Sequence, residues 1–223
     1  IKPLIGVDKA DGKYYDRGKS RTFKRAVASI PAYAAKKLGE GAHLRLQIGH
    51  ANAPDAAAQL REETEKLIKR IKEEVPGVIL RTTMLVGFPG ETEQDFEELI
   101  AFIRETKFEK LGVFPYSNEE GTYAYKKFDD NLTEKVKQAR ADEIMELQQQ
   151  ISAELNQQKI GQTFKVIIDR KEGDFFIGRT EFDSPEVDGE VFVTSPKELQ
   201  KGEFVQVEIT GAEDYDLFGV VRN

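Results

Sequence analysis

The chain has 223 residues, a third of which are charged, and a net charge of −7. This length allows one large domain or two modest ones. No apolar run reaches the roughly 18 residues that span a bilayer, and residues 1–8 do not resemble a signal peptide, so we expect a soluble cytoplasmic protein with no membrane segment.

Cysteine is absent, and His43 and His50 are the only histidines. Disulfides, thiolate nucleophiles and cysteine-ligated metal sites are therefore excluded for the chain as written. A histidine-rich metal centre has little support, because each imidazole is better explained as a surface or hydrogen-bonded side chain.

The first thirty residues show no sustained period and are interpreted as a loop-rich segment. Their basic cluster, residues 17–25, is either a solvated face or a phosphate contact.

Apolar positions at helical spacing predict a helix from Ala56 to Val75. A β-prone run over 78–86 then predicts a parallel strand covered on both faces. Thr92 is expected to cap the next helix.

A second strand is predicted from Leu111 to Tyr116, and a long helix begins near Thr133. The apolar stripe of that helix is expected at Val136, Ala139, Ile144, Leu147, Ile151 and Leu155. The alternation of helices and strands predicts a (β/α) sheet or part of a barrel. We place the domain boundary at residues 159–162, after which the pattern changes.

Short alternating runs separated by Gly, Pro and Asp turns fill the last sixty residues. Five strands are expected, at 164–168, 175–182, 190–193, 204–209 and 217–221, and they predict a small OB-like barrel. This module is acidic: residues 160–223 contain seven Lys and Arg against fourteen Asp and Glu, a balance of −7, while residues 1–159 are neutral by the same count.

Three motifs point to chemistry. The predicted strand before Gly87-Phe88-Pro89-Gly90-Glu91 ends in a glycine turn that opens a helix, where a ligand can approach the backbone closely. A plain tight turn is the alternative for this segment taken alone. Residues 114–124 and 178–188 carry the second and third motifs, and Arg179 in the last of these is equally explained as an ion-pair partner within the barrel.

Together the three motifs resemble the methylthiotransferase branch of the radical S-adenosylmethionine enzymes. The resemblance implies an α/β fold, in which a partial (β/α) barrel of radical S-adenosylmethionine type occupies residues 1–159 and a small all-β OB-like TRAM barrel occupies 160–223. It is specific from about residue 75 onward, and residues 1–55 match poorly. It implies cofactor contacts at Gly87, Pro89, Gly90, Glu91, Tyr116 and Ser117, and substrate contacts at Arg179, Glu181, Asp183, Glu186 and Asp188.

Members of this family use S-adenosylmethionine and 4Fe-4S clusters held by cysteine thiolates. By resemblance, the cluster ligands would fall at Ala42, Leu46 and Gly49, whose side chains cannot bind iron. Only about 37 residues separate Gly49 from Val86, fewer than a full core of this type needs. We therefore expect a fragment, an engineered deletion or a sequence unreliable in its first sixty residues.

The resemblance implies a transferase that methylthiolates an aspartate on a small-subunit ribosomal protein, with that protein or the ribosome as partner. A transfer RNA methylthiotransferase is the enzymatic alternative, which the acidic final module disfavours because a polyanion is bound mainly through Lys and Arg. A non-catalytic ribosome-binding module is the alternative from a different class.

Overall fold

The computed structural model describes residues 43–47 and 54–222, with side chains described from Arg61 to Arg222. The chain divides into two compact units, Ile1–Ile144 and Met145–Asn223. The described elements of the first part are β1 (His43–Gln47), α1 (Pro54–Glu74), β2 (Ile79–Val86), α2 (Glu93–Thr106), β3 (Lys110–Pro115), α3 (Tyr123–Lys127) and α4 (Glu134–Gln157), and the division between the units falls inside α4.

The first unit contains a parallel sheet of order β1-β2-β3. Alternate residues of β2 are buried, namely Leu80, Thr82, Met84 and Val86, and the residues between them are half-buried. Because right-handed crossovers place consecutive helices on one face of a sheet, the buried set faces the layer of α1 and α2. The strand is covered more completely on this face than on the other, where Arg81 and Thr83 are half-buried.

Helix α2 begins at a capping box, as the position of Thr92 predicted. The Thr92 hydroxyl accepts the backbone N–H of Asp95, and the Asp95 carboxylate accepts the backbone N–H of Thr92. These two bonds satisfy donors that a helix start otherwise leaves unpaired. The helix ends at Lys107, whose backbone is left-handed (φ 48°) and whose N–H donates to the Ile103 carbonyl.

The buried face of α4 differs at its start from the predicted apolar stripe. Val136 and Ala139 are exposed, whereas Lys137 and Arg140 are buried. The prediction is confirmed for Ile144, Leu147 and Ile151, whereas Leu155 is half-buried. The first two turns of α4 therefore bury cations where apolar periodicity predicted a hydrophobic face.

The second unit contains a closed five-stranded barrel, which confirms the predicted OB-like fold of this region. Its strands are β4 (Thr163–Glu172), β5 (Phe175–Thr180), β6 (Val191–Thr194), β7 (Phe204–Ala212) and β8 (Leu217–Val221), in the closed order β4-β5-β6-β8-β7. Strands β6 and β8 pair in parallel and the other neighbours pair antiparallel. The interior is filled by Val166, Ile168, Phe176, Val191, Val193, Val207, Ile209 and Leu217.

The end of α4 is bonded to the turn between β7 and β8 within the second unit. The Asn156 amide donates to the carbonyls of Glu213 and Asp214, both at 3.2 Å. The Gln157 amide donates to the Ala212 carbonyl at 3.0 Å.

Within the part of the chain that the structure describes, no helix is long and apolar enough to cross a membrane.

Two glycines allow neighbouring barrel strands to approach closely. A Cβ atom on Gly178 would lie 2.4 Å from the Ile167 carbonyl oxygen, and one on Gly219 would lie 2.6 Å from the Glu208 carbonyl oxygen. Real Cβ atoms do not come this close to backbone, so any larger residue must displace a strand.

We predict that Gly178→Ala lowers the free energy of unfolding of the barrel by about 1–3 kcal/mol, because the added methyl group overpacks against fixed backbone. Gly211→Ala is the matched control, since its Cβ would meet the Phe218 Cβ at 3.6 Å and Cδ2 at 3.9 Å, both ordinary contacts. Urea unfolding followed by circular dichroism measures both, and equal midpoints for the two variants would contradict the close-approach argument.

Candidate functional site

The glycine turn, residues 87–91, connects β2 to α2. Gly87 and Gly90 both adopt left-handed backbone, with φ of 76° and 87°. The Glu91 N–H donates to the Phe88 carbonyl at 2.9 Å, which closes the turn. Left-handed backbone is strained for residues with a Cβ atom, so the two glycines are required by the conformation.

The Glu91 carboxylate lies beneath the turn. It accepts the Gly87 N–H at 3.0 Å and the Arg140 guanidinium at 2.6 Å. A second guanidinium nitrogen of Arg140 donates to Glu93 at 2.9 Å. The Glu91 and Arg140 side chains are only 5% and 8% exposed, so this ion pair is largely removed from water. The side chain of Glu91 therefore fixes the turn from within.

Lys137 packs against the other side of Gly87. Its Nζ donates to Asp130 at 2.6 Å and to Glu134 at 2.7 Å, and it lies 5.3 Å from the centroid of the Tyr116 ring. Burial by itself lowers the pKa of Lys137, but the hydrogen bonds and charges of the two carboxylates outweigh it and raise that pKa above its ordinary value. The ammonium group is therefore charged at neutral pH.

The remaining contacts of the glycine turn come from neighbouring segments. The Gly90 N–H donates to the Asn131 side-chain carbonyl at 3.0 Å. The Phe88 ring packs edge-on against Tyr116 and Phe128, with centroids 5.1 and 5.6 Å away. The Tyr116 N–H donates to the Val86 carbonyl at 2.8 Å, which joins the ends of β2 and β3. The turn is thus held by residues 116–140 on several sides.

The more open face of the sheet leads up to this turn. Register pairs Thr83 with Gly112 and Leu85 with Phe114, so these four residues share that face. Phe114 is 62% exposed, and a Cβ atom on Gly112 would meet nothing within 4 Å. The ends of β2 and β3 therefore provide a flat, partly aromatic surface with open space above it.

Three of the predicted cofactor residues, Gly87, Glu91 and Tyr116, are brought together through the contacts described above. Pro89 is buried, and Gly90 is exposed with open space beside it. Ser117 is exposed, and its hydroxyl donates to Glu119 at 2.6 Å. Which of these residues contact a cofactor stays a prediction.

The predicted substrate residues lie on β5 and on an acidic loop, residues 181–190, between β5 and β6. Arg179 lies 3.0 Å from Asp169 on the adjacent strand. Asp183 accepts the Thr180 hydroxyl at 2.5 Å, and Asp188 accepts the Ser184 N–H at 2.6 Å.

In this acidic loop Glu181 and Glu186 are exposed, Glu186 with left-handed backbone (φ 62°). Two of the five predicted residues, Asp183 and Asp188, therefore shape the loop, whereas Glu181 and Glu186 present their carboxylates on its surface.

Several predictions concern residues outside the described part of the chain: Ala42, Gly49, His50 and the basic cluster at residues 17–25. His43 and Leu46 lie in β1, of whose side chains nothing is described. Among the residues the structure does describe, no group of three or more His, Asp or Glu side chains is arranged to hold a metal ion.

Asn131, Lys137 and Arg140 were not predicted from the sequence. A usable signal was present for the two cations, because positions 137, 140, 144, 147 and 151 follow the same helical spacing as the buried residues beyond them. A charged residue on the buried stripe of a helix requires partners, and the nearby Asp130 and Glu134 supply them for Lys137. For Asn131, no comparable pattern exists.

Comparison with known proteins first identifies the class of domain at the C-terminal end. Residues 160–221 match the family model of the TRAM domain. An α/β unit with a glycine turn, followed by a TRAM barrel, is the combination that the three sequence motifs predicted for a radical S-adenosylmethionine methylthiotransferase.

The relatives specify the family further. The ribosomal protein uS12 methylthiotransferase RimO of Bacteroides thetaiotaomicron is 58% identical over 164 residues, which cover 73% of this chain and 38% of the relative. Those of Phocaeicola vulgatus and Flavobacterium psychrophilum are each 56% identical, over 162 and 160 residues, covering 72% and 71% of this chain and 38% and 37% of the relatives. The C-terminal part of this chain is therefore similar to uS12 methylthiotransferases, and the chain spans less than two fifths of these relatives' length.

We predict that Gly87→Ala lowers the free energy of unfolding of the first unit by about 1–3 kcal/mol more than Gly90→Ala does. Both variants place alanine in left-handed backbone, but only at position 87 would the new Cβ lie 2.4 Å from the Lys137 Cγ. Chemical denaturation of the two variants gives the difference directly. Equal destabilisation would show that Lys137 moves away without cost.

Replacing Arg140 by methionine is expected to destabilise the first unit by about 3–5 kcal/mol, because the Glu91 carboxylate is left buried without its cation. Arg61→Met is the control, since Arg61 pairs with Glu65 and Glu98 at a partly exposed position and such pairs contribute about 1 kcal/mol or less. Adding Glu91→Gln to Arg140→Met should recover part of the loss. An additive double variant would argue against the pair.

Proposed function

We propose that this chain supplies the S-adenosylmethionine-binding turn and the substrate-recognition barrel of a radical S-adenosylmethionine methylthiotransferase that modifies an aspartate side chain on ribosomal protein uS12. In this assignment residues 1–159 form a partial radical S-adenosylmethionine domain and residues 160–223 the TRAM domain. The observation that carries the proposal is the glycine turn at the end of β2, in a chain that is 58% identical to a uS12 methylthiotransferase over 164 residues.

The nucleoside end of S-adenosylmethionine fits the residues present. The sheet face beside the turn offers open space above Gly112, and the exposed ring of Phe114 lies on the same face. A flat aromatic surface beside exposed backbone suits a purine ring. In this family S-adenosylmethionine supplies both the methyl group and the adenosyl group that removes hydrogen from the substrate.

Within that assignment, the chain's own residues position the cofactor. Glu91 and Lys137 fix the backbone of the turn through Gly87, and Asn131 fixes it through Gly90. Tyr116 ties the end of β3 to β2, so that Ser117 and the turn follow the same sheet edge. A rigid turn places its backbone without further loss of conformational freedom when a ligand binds.

The 4Fe-4S cluster does not fit this chain. A cluster of this type is held by cysteine thiolates, and the sequence contains no cysteine. The positions expected to carry its ligands are Ala42, Leu46 and Gly49. The proposal for this chain is therefore limited to cofactor positioning and partner recognition.

The charge of the barrel favours a basic protein partner over RNA. Five of its seven Lys and Arg side chains already have partners in the barrel: Lys165 lies over Phe204, Arg170 pairs with Glu172 and Glu190, Lys171 with Glu198, Arg179 with Asp169, and Arg222 with Glu208. With fourteen acids in the same module, the remaining field is negative. Such a field steers cations toward the surface and repels phosphates.

A non-catalytic ribosome-binding module is the second candidate, favoured by the absence of cysteine. Both candidate functions involve the same partner, but they differ in the role of the glycine turn. Equilibrium dialysis with labelled S-adenosylmethionine separates them, because only the first requires the glycine turn to bind the cofactor.

The test of the proposed partner is binding of the full chain to purified uS12 and to bulk transfer RNA, side by side, across a salt series. We expect binding to uS12 that weakens as salt increases, with no comparable binding to transfer RNA. Salt-sensitive binding to transfer RNA alone would overturn the assignment and favour a transfer RNA methylthiotransferase.

A further inference from the structure

Three phenylalanines form a cluster on the outer surface of the barrel. The rings of Phe192 and Phe218 are stacked, with centroids 5.1 Å apart and planes inclined by 23°. Phe175 packs edge-on against both, at 5.8 and 6.3 Å. These residues lie on β5, β6 and β8, which are consecutive strands of the barrel. We call this group the aromatic face.

The aromatic face does not belong to the barrel interior. Its members alternate along their strands with interior residues: Phe175 precedes Phe176, Phe192 lies between Val191 and Val193, and Phe218 follows Leu217. Successive side chains of a strand point to opposite faces, so the three rings point outward. Each ring is half-buried and packs against the other two.

Acidic groups border the aromatic face. Asp174 precedes Phe175, Glu172 is the cross-strand partner of Phe175, and Glu190 precedes β6. Arg170 is the one cation bonded to these acids in the described structure, through Glu172 and Glu190, which leaves an excess of negative charge beside the rings. Aromatic rings next to carboxylates attract Lys and Arg, whose cations bind the ring face while their aliphatic stems cover apolar surface.

We propose that the aromatic face is a docking surface for an extended Lys- and Arg-containing segment of the partner protein. This inference rests on the proposed function, because it assigns a specific place on the barrel to the basic protein substrate. The segment's cations lie over the Phe192 and Phe218 rings, and its remaining charge faces the acids around Phe175.

Charge decides against the other occupants. Stacked nucleobases also bind aromatic surfaces, but they bring phosphates that this acidic module repels. A second copy of the chain would bring the same excess of acids to the contact. A basic polypeptide is the partner that both the rings and the charge favour.

The experiment measures fluorescence anisotropy of fluorescein-labelled uS12, and separately of a labelled peptide of alternating arginine and alanine, with the full chain. The test variant is Phe192→Thr/Phe218→Thr, which keeps strand-favouring residues. The control is Phe204→Thr, which removes a 60% exposed ring elsewhere on the barrel. We expect at least about tenfold weaker binding of both probes for the test variant, and a change below about twofold for the control.

Amide chemical shifts of the unmutated chain, recorded as the peptide is added, test the same surface without relying on a variant's folding. The largest changes are expected on β5, β6 and β8. Chemical shift changes confined to other strands, or unchanged affinity of a folded test variant, would overturn the proposal that the aromatic face is the docking surface. Either result would leave the proposed function intact. Peptide binding at this face without uS12 binding would overturn the proposed function alone.

Absence of binding to either probe would overturn both proposals. A labelled oligouridylate and sedimentation velocity complete the test, because they report the two competing occupants. If the test variant loses oligonucleotide binding, the occupant of the aromatic face is RNA and not a basic segment. If it loses self-association, the occupant is a second copy of the chain.

Discussion

Burial of two cations on α4 is the constraint on which the geometry of the glycine turn depends. A charge removed from water is stable only when partners surround it, so Lys137 and Arg140 must keep their carboxylates close. Those partners include Glu91, which also accepts the Gly87 N–H. The position of the turn is thereby tied to the position of α4. If the turn or α4 moved without the other, at least one buried charge would lose its partner.

The cations of the barrel, unlike those at the start of α4, are not buried. Its cations are partly exposed and pair on the surface, as Arg170 does with Glu190. Hydrogen bonds from Arg170 hold the pKa of the Glu190 carboxyl below its ordinary value, although partial burial opposes the shift. The module's stability comes instead from a closed interior of aliphatic side chains. Its exposed ion pairs contribute less to stability than this interior does.

Much of the fold could be predicted from the sequence because it follows local rules. The capping position of Thr92 and the five barrel strands follow from residue types and spacing within short windows. The face that α4 buries at its start could not be read the same way. Apolar periodicity favoured Val136 and Ala139, but Arg140 is paired with Glu91, 49 residues earlier in the chain. No local window contains both members of that pair.

The acidic motif of the barrel illustrates a second limit. Asp183 and Asp188 looked like substrate contacts because of the sequence they belong to, yet each accepts a hydrogen bond from a residue three or four positions away. Short-range bonds of this kind are typical of Asp in turns. Sequence patterns indicate where a loop with a function lies, but they do not separate the residues that shape it from those that it presents.

The closed barrel also has a consequence for how the chain behaves in concentrated solution. A barrel leaves no strand with unpaired N–H and C=O groups along its side, so it offers no template for edge-to-edge association. In the described part of the parallel sheet, β3 pairs on one side only and carries the exposed Phe114. Among the described strands β3 is therefore an edge, and a charged or proline substitution in it is expected to reduce edge-to-edge association.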